Sequence, residues 1–144
     1  MTDHPIRFFA DDHAVRRVGE RLLARTLPRA EWTHEAHLAA CAWLVRERPD
    51  IDLDVRIAAI ISSYNEAVGG VNDDAHGYHD TITRTYLAGV RTFLSGRSHD
   101  EPLASVVNAL LASEVGARNW PLRFYTPDRL FSVAARRGYV PPDA

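Results

Sequence analysis

The sequence predicts an all-α fold, a single-domain bundle of five to six helices spanning residues 1–144. Three observations predict it. Apolar residues recur at i, i+3, i+4 and i+7 in segment after segment, the period of a helix with one buried face. Each segment opens on a capping residue or proline and closes on glycine or proline. Alternating apolar and polar runs of strand length do not occur.

Residues 1–10 read as an N-terminal arm whose Phe8 and Phe9 can dock on the bundle. Asp11 or Asp12 caps a first helix that turns Val15, Val18, Leu22 and Leu23 inward and ends before Pro28. Thr33 caps a second, with His34, His37, Leu38, Cys41, Leu44 and Val45 on its inner stripe and Pro49 as its stop. Asp50 or Asp52 caps a third, which buries Leu53, Ile57, Ile60, Ile61, Tyr64 and Val68 and ends at Gly69-Gly70. Val71 to Gly77 is a loop built from Asn72, Asp73 and Asp74. A fourth helix starts near Tyr78, carries His79, Ile82, Thr83, Tyr86, Val90, Phe93 and Leu94 inward, and stops at Gly96. The fifth starts around Pro102 and presents Leu103, Val106, Val107, Leu110, Leu111 and Glu114 before Gly116. Ala117 to Tyr125 reads as an ordered loop around Trp120-Pro121. Thr126-Pro127-Asp128 supplies N-cap, N1 and N2 of a sixth helix closed by Gly138, with 139–144 left as a tail.

A chain of 144 residues is long enough to bury roughly two-thirds of its unfolded surface in one core without a disulfide or structural metal. A net charge of −2 gives no general attraction to nucleic acid or to an anionic membrane. No apolar run reaches the ~18 residues of a membrane span, and none lies behind a basic start as in a signal peptide. The single cysteine, Cys41, excludes an intramolecular disulfide. A cytoplasmic protein is expected. All 17 basic residues are arginine, which a GC-rich coding sequence explains without invoking anion binding.

The chemistry is concentrated in histidines at two helix starts. His34 and His37 sit where a core helix would carry leucine, and His79 faces inward at the start of the fourth helix. Imidazole is a common ligand for Zn, Fe, Ni and Cu, and two of them one turn apart can share an ion. His34, His37 and His79 would then hold a divalent transition metal, Zn or Fe, and leave a fourth position for an activated water. His76 ranks lower as a fourth ligand because it precedes the helix. The spacing His34-Glu35-Ala36-His37 is not that of His-Glu-x-x-His. Glu31-x-x-His34 copies one step of a di-iron bundle, but it has no second copy and lies before the helix. The plainer reading of each histidine is a ring hydrogen-bonded to a main-chain carbonyl or a carboxylate.

Around that site, Glu114 on the fifth helix's stripe is a candidate buried carboxylate, against a last-turn side chain that simply reaches solvent. Thr83, one turn after His79, can orient a ring or a water, or bond back to its own helix. Tyr78 can aim its phenol at the same cavity or pack at the helix start. Arg118 and Arg123 can clamp a carboxylate or phosphate at the mouth, or be two surface arginines among many. Cys41 reads as packing.

The motifs Trp32-Thr33-His34-x-x-His37-Leu38 and Gly77-Tyr78-His79-x-Thr81-Ile82-Thr83 resemble a set of small bacterial all-helical hypothetical proteins, over about residues 30 to 95. The resemblance implies a stand-alone helical domain and brings no activity with it. A fainter, fold-level likeness is to the DinB-like bundles, in which three histidines hold a metal, although the ligand spacing here differs. Three functions are expected on these grounds. The first is a metal-dependent enzyme of hydrolase type acting on a small molecule. The second is a metal-free protein binding a small anion. The third is an interaction domain with structural histidines, whose exposed helix faces leave room for a homodimer.

Overall fold

The computed structural model describes residues 5–144. Among them are seven α-helices and no strand: α1 Asp12–Ala24, α2 His34–Glu47, α3 Leu53–Ala67, α4 Asp80–Ser95, α5 Leu103–Ala112, and the short α6 Pro127–Leu130 and α7 Val133–Arg137. No helix of the described residues is long and apolar enough to cross a membrane.

The bundle is organised around α2, which packs against α1, α4 and α5. Its alanines at 36, 39, 40 and 42 are all buried, and side chains that small let three neighbours approach on different sides. Trp43 lies flat on Gly19 of α1, where even a Cβ would come within 2.2 Å of the indole. Tyr64 of α3 is fully buried and donates its hydroxyl to the Leu27 carbonyl at 2.9 Å, which ties α3 to the α1–α2 connection. Arg46 of α2 donates to the carbonyls of His99 and Glu101 and so holds the α4–α5 loop.

Capping agrees with the sequence at several starts. Asp11 accepts from the Ala14 amide at 2.8 Å, and Thr33 from the Ala36 amide at 3.1 Å. In the arm, Phe9 docks: its backbone exchanges two 2.9 Å hydrogen bonds with Asn108 of α5. Phe8 stays exposed, and residues 1–4 of the expected arm lie outside the described residues.

Three boundaries differ from the sequence expectation. The sixth helix is two: Ser132 accepts from the Ala135 amide at 3.1 Å, a fresh N-cap that restarts the chain as α7. The fifth ends at Ala112, so Glu114 falls in a 3-10 turn, off the buried stripe. The tail at 139–144 is not loose, because Tyr125 donates to the Val140 carbonyl at 2.7 Å and the Asp143 carboxylate accepts from the amide and hydroxyl of Thr126.

Gly19→Ala tests the α1–α2 contact. The alanine gains helix propensity but drives into a fixed indole, and overpacking of that kind costs about 1–3 kcal/mol. Thermal unfolding monitored by circular dichroism is expected to show a lower Tm for this variant, whereas Gly138→Ala, which meets nothing within 4 Å, is expected to be near neutral.

Candidate functional site

Between α2, α3 and α4 lies a cavity of about 250 Å³, lined by Leu38, Ile57, Ile61 and Ile82 on its apolar sides and by His34, His37, Cys41, Thr83 and Tyr86 where it is polar. Trp32 closes one end. The indole precedes the cap residue Thr33, and its ring stacks on His37 in the fourth helical position, centroids 3.7 Å apart. That is the hydrophobic-staple arrangement, with an imidazole in place of the usual aliphatic partner.

Both imidazoles of α2 are anchored by main-chain oxygen. His37 Nδ1 lies 2.7 Å from the Thr33 carbonyl and His34 Nε2 lies 2.8 Å from the Gly116 carbonyl. A carbonyl only accepts, so those nitrogens carry the protons. His37 Nε2 and His34 Nδ1 are left as the second nitrogens of rings that line the cavity. His37 is exposed to solvent over part of its surface, while its ring packs against Trp32 and lines the cavity. Desolvation of the packed part of the ring pushes its pKa down from 6.5 to about 4, against the opposing pull of the Thr33 carbonyl, so the ring is neutral at pH 7. Cys41 shares this setting, and burial pushes its thiol up to about 12. It is a protonated wall group and not a nucleophile.

His79 does not fit the ligand role expected of it. It is the N-cap of α4, so its Nδ1 accepts from the Ile82 amide at 3.1 Å while its Nε2 donates to the Leu130 carbonyl at 2.7 Å. Both nitrogens are spent on backbone, and the ring is absent from the cavity wall. The helix begins at Asp80, two residues after Tyr78, so His79 precedes it instead of lying in its first turn. Histidine is also not among the usual capping residues that mark such a start. Burial lowers the pKa of His79 and so favours the neutral form that can cap. Among the described residues no group of three or more His, Cys, Asp or Glu side chains is placed to hold a metal ion. The free nitrogens of His34 and His37 fall short of the three-ligand set. His76 is exposed and bonded to Asp73 at 3.0 Å.

No protein-family model matches the chain, and neither a curated protein nor a solved structure matches it.

Of the other anticipated residues, Thr83 reaches the cavity and Tyr78 does not. Tyr78 donates to Asp80 at 2.6 Å, and the same carboxylate takes Arg84 Nε at 3.0 Å; burial and that carboxylate push the phenol's pKa up. Glu114, expected as a buried carboxylate, is 73% exposed and pairs with Arg123 at 3.2 Å, while the Arg123 guanidinium rests over Trp120. Arg118 stands apart from Arg123, with its Nη2 3.9 Å from Glu35 Oε1. The two arginines therefore form no clamp at this cavity.

Trp32 and Tyr86 were not among the anticipated site residues. Each had a signal: Trp32 immediately precedes a cap, and Tyr86 lies one turn beyond Thr83 on the same stripe. Tyr86 also fixes a wall, since its hydroxyl donates to the Ala117 carbonyl at 2.7 Å beside the bond from His34 to Gly116.

Two outcomes are expected. Between pH 6.5 and about 4 the unfolded chain binds a proton at residue 37 that the folded chain refuses, so stability falls as pH drops through that window. The loss of Tm from pH 7 to 4.5 is expected to be smaller in His37→Gln than in the wild type. His79→Ala removes a cap and orphans the buried Leu130 carbonyl; it should lose about 2–3 kcal/mol, a Tm drop of roughly 5–10 °C, at any pH above 7 and with or without added Zn.

Proposed function

We propose that the protein binds a small, uncharged and largely apolar molecule in the cavity between α2, α3 and α4, without a metal. The observation that carries this reading is the pair of backbone-anchored imidazoles in a wall that is apolar apart from Cys41, Thr83 and Tyr86. Ligand sites have this make-up: apolar surface gives affinity, and a few fixed polar groups give orientation. His37 is neutral at pH 7 and offers a lone pair, so it selects a ligand with a hydroxyl or N–H to donate and has no charge with which to attract an anion. Arg118 and Arg123 lie off the cavity wall, which removes the support for an anionic ligand at this place.

Size narrows the class further. A 150 Å³ apolar cavity accepts benzene, so about 250 Å³ suits a single substituted ring or a branched chain of about 7–10 heavy atoms. Thr83 and Tyr86 add hydroxyls on the α4 side, although the Tyr86 proton is already committed to Ala117.

Phenol and toluene have nearly the same shape and differ in one donor. In an NMR titration both are expected to shift the side-chain resonances of Trp32 and His37 saturably. Phenol should bind about 3–10-fold tighter, the range of one neutral hydrogen bond. His37→Leu should erase that preference and retain toluene, and Cys41→Phe, which fills the space, should abolish both. If neither probe saturates, or phenol keeps its advantage in His37→Leu, the reading is refuted.

A further inference from the structure

A second pocket, of about 520 Å³, lies on the other side of the His34 ring, between the first turn of α2, the end of α5 and the segment after it. His34 is the only residue the two spaces share, so occupancy of this pocket does not depend on which ligand the cavity takes. We infer that this pocket binds a small zwitterion, an α-amino acid with an apolar side chain, through Glu35 and Arg118.

Glu35 is the observation that asks for a ligand. Its side chain is 6% exposed and lines the pocket. One carboxylate oxygen accepts from the Arg7 amide at 3.4 Å, and the other, Oε1, has no hydrogen-bond partner among the described residues. Arg118 Nη2 stops 3.9 Å from Oε1, beyond hydrogen-bond reach. An ionised oxygen taken out of water without a donor is costly, and an ammonium group supplies the missing donor. Burial works to raise the pKa of this carboxyl, yet the amides of Glu35 and Arg7 together with the Arg118 charge hold it below the usual range, so the acceptor is charged at pH 7.

Arg118 supplies the complementary half. Its side chain is 45% exposed and its guanidinium is free to turn toward a carboxylate on the pocket side. The opposite charges of Glu35 and Arg118 stand side by side, as do the ammonium and carboxylate of an α-amino acid, so the four charges close into an alternating ring. A ligand with one charge cannot do this: a simple amine meets Arg118, and a simple carboxylate leaves Glu35 Oε1 unanswered. The end of α5, at Ala112 on the pocket wall, adds the partial negative charge of a helix C-terminus to the pocket. Ile6, Leu111, Ala112 and Ala117 give the wall an apolar part that an aliphatic side chain can cover, while Ser113 and Asn119 add polar groups to it.

The test is a calorimetric and NMR titration of the full chain with L-leucine, with 3-methylbutylamine, which lacks the carboxylate, and with 4-methylpentanoate, which lacks the ammonium. Leucine is expected to bind saturably and at least ten-fold tighter than either analogue. Glu35→Gln and Arg118→Gln should each weaken it at least ten-fold, while phenol binding in the cavity is unchanged. The inference is overturned if leucine binds no tighter than both analogues, or if folded Glu35→Gln keeps wild-type affinity for it. Should Glu35→Gln fail to fold, Arg118→Gln decides alone, since its side chain is exposed, and undiminished leucine affinity there overturns the proposal.

Discussion

The partly buried first turn of α2 governs the rest of the molecule. A helix start presents backbone amides with no partner in the helix, and where water is excluded they must be answered by side chains. Thr33 answers the Ala36 amide, Trp32 seals the turn by stacking on His37, and His34 reaches out to the Gly116 carbonyl. The groups that make the two pockets chemically distinctive are therefore also the groups that allow this end of the helix to be partly internal. His34, shared by both walls, joins the folding problem to the binding one.

Four of the described histidines, His34, His37, His76 and His79, are used in three ways, and geometry separates them. His79 spends both nitrogens on backbone, joining α4 to α6, and is structural. His34 and His37 spend one each and keep one. His76 is held only by an exposed contact with Asp73. An inward position on a helical stripe does not distinguish these cases, because a ring that faces the core can be bonded to main chain, to a ligand or to both. What separates them is where the partner carbonyls fall, and Leu130 and Gly116 are 51 and 82 residues away from the rings they bind.

The electrostatics of the two pockets differ in kind. In the cavity, desolvation keeps His37 neutral and Cys41 protonated, so recognition there is by shape and hydrogen bonding. Beside it, Glu35 stays charged because backbone amides and Arg118 offset its burial. Glu35 was not legible as a buried group: in sequence it is an acidic residue in the first turn of a helix, where a carboxylate ordinarily faces solvent and complements the helix dipole.

The all-α class, the five long helices and most of their ends could be read from the amino acids alone. Those are settled by local matters: apolar periodicity, the Asp11 and Thr33 caps, and the stops at Pro49, Gly69 and Gly96. Of the residues expected around a cavity between the starts of the second and fourth helices, the structure places His34, His37 and Thr83 on one cavity wall and leaves His79 off it. Other features depend on how the helices come together. α2 is buried on several faces, so its alanines and Glu35 carry no amphipathic signal, and a two-residue shift at the start of α4 turns His79 from an inward ligand into a cap. The end of α5 at Ala112 moved Glu114 out to Arg123, and only the return of the chain near Gly116 set Arg118 beside Glu35. Local pattern sets which residues lie on a helix, but distant carbonyls and neighbouring helices set which of their atoms remain free to act.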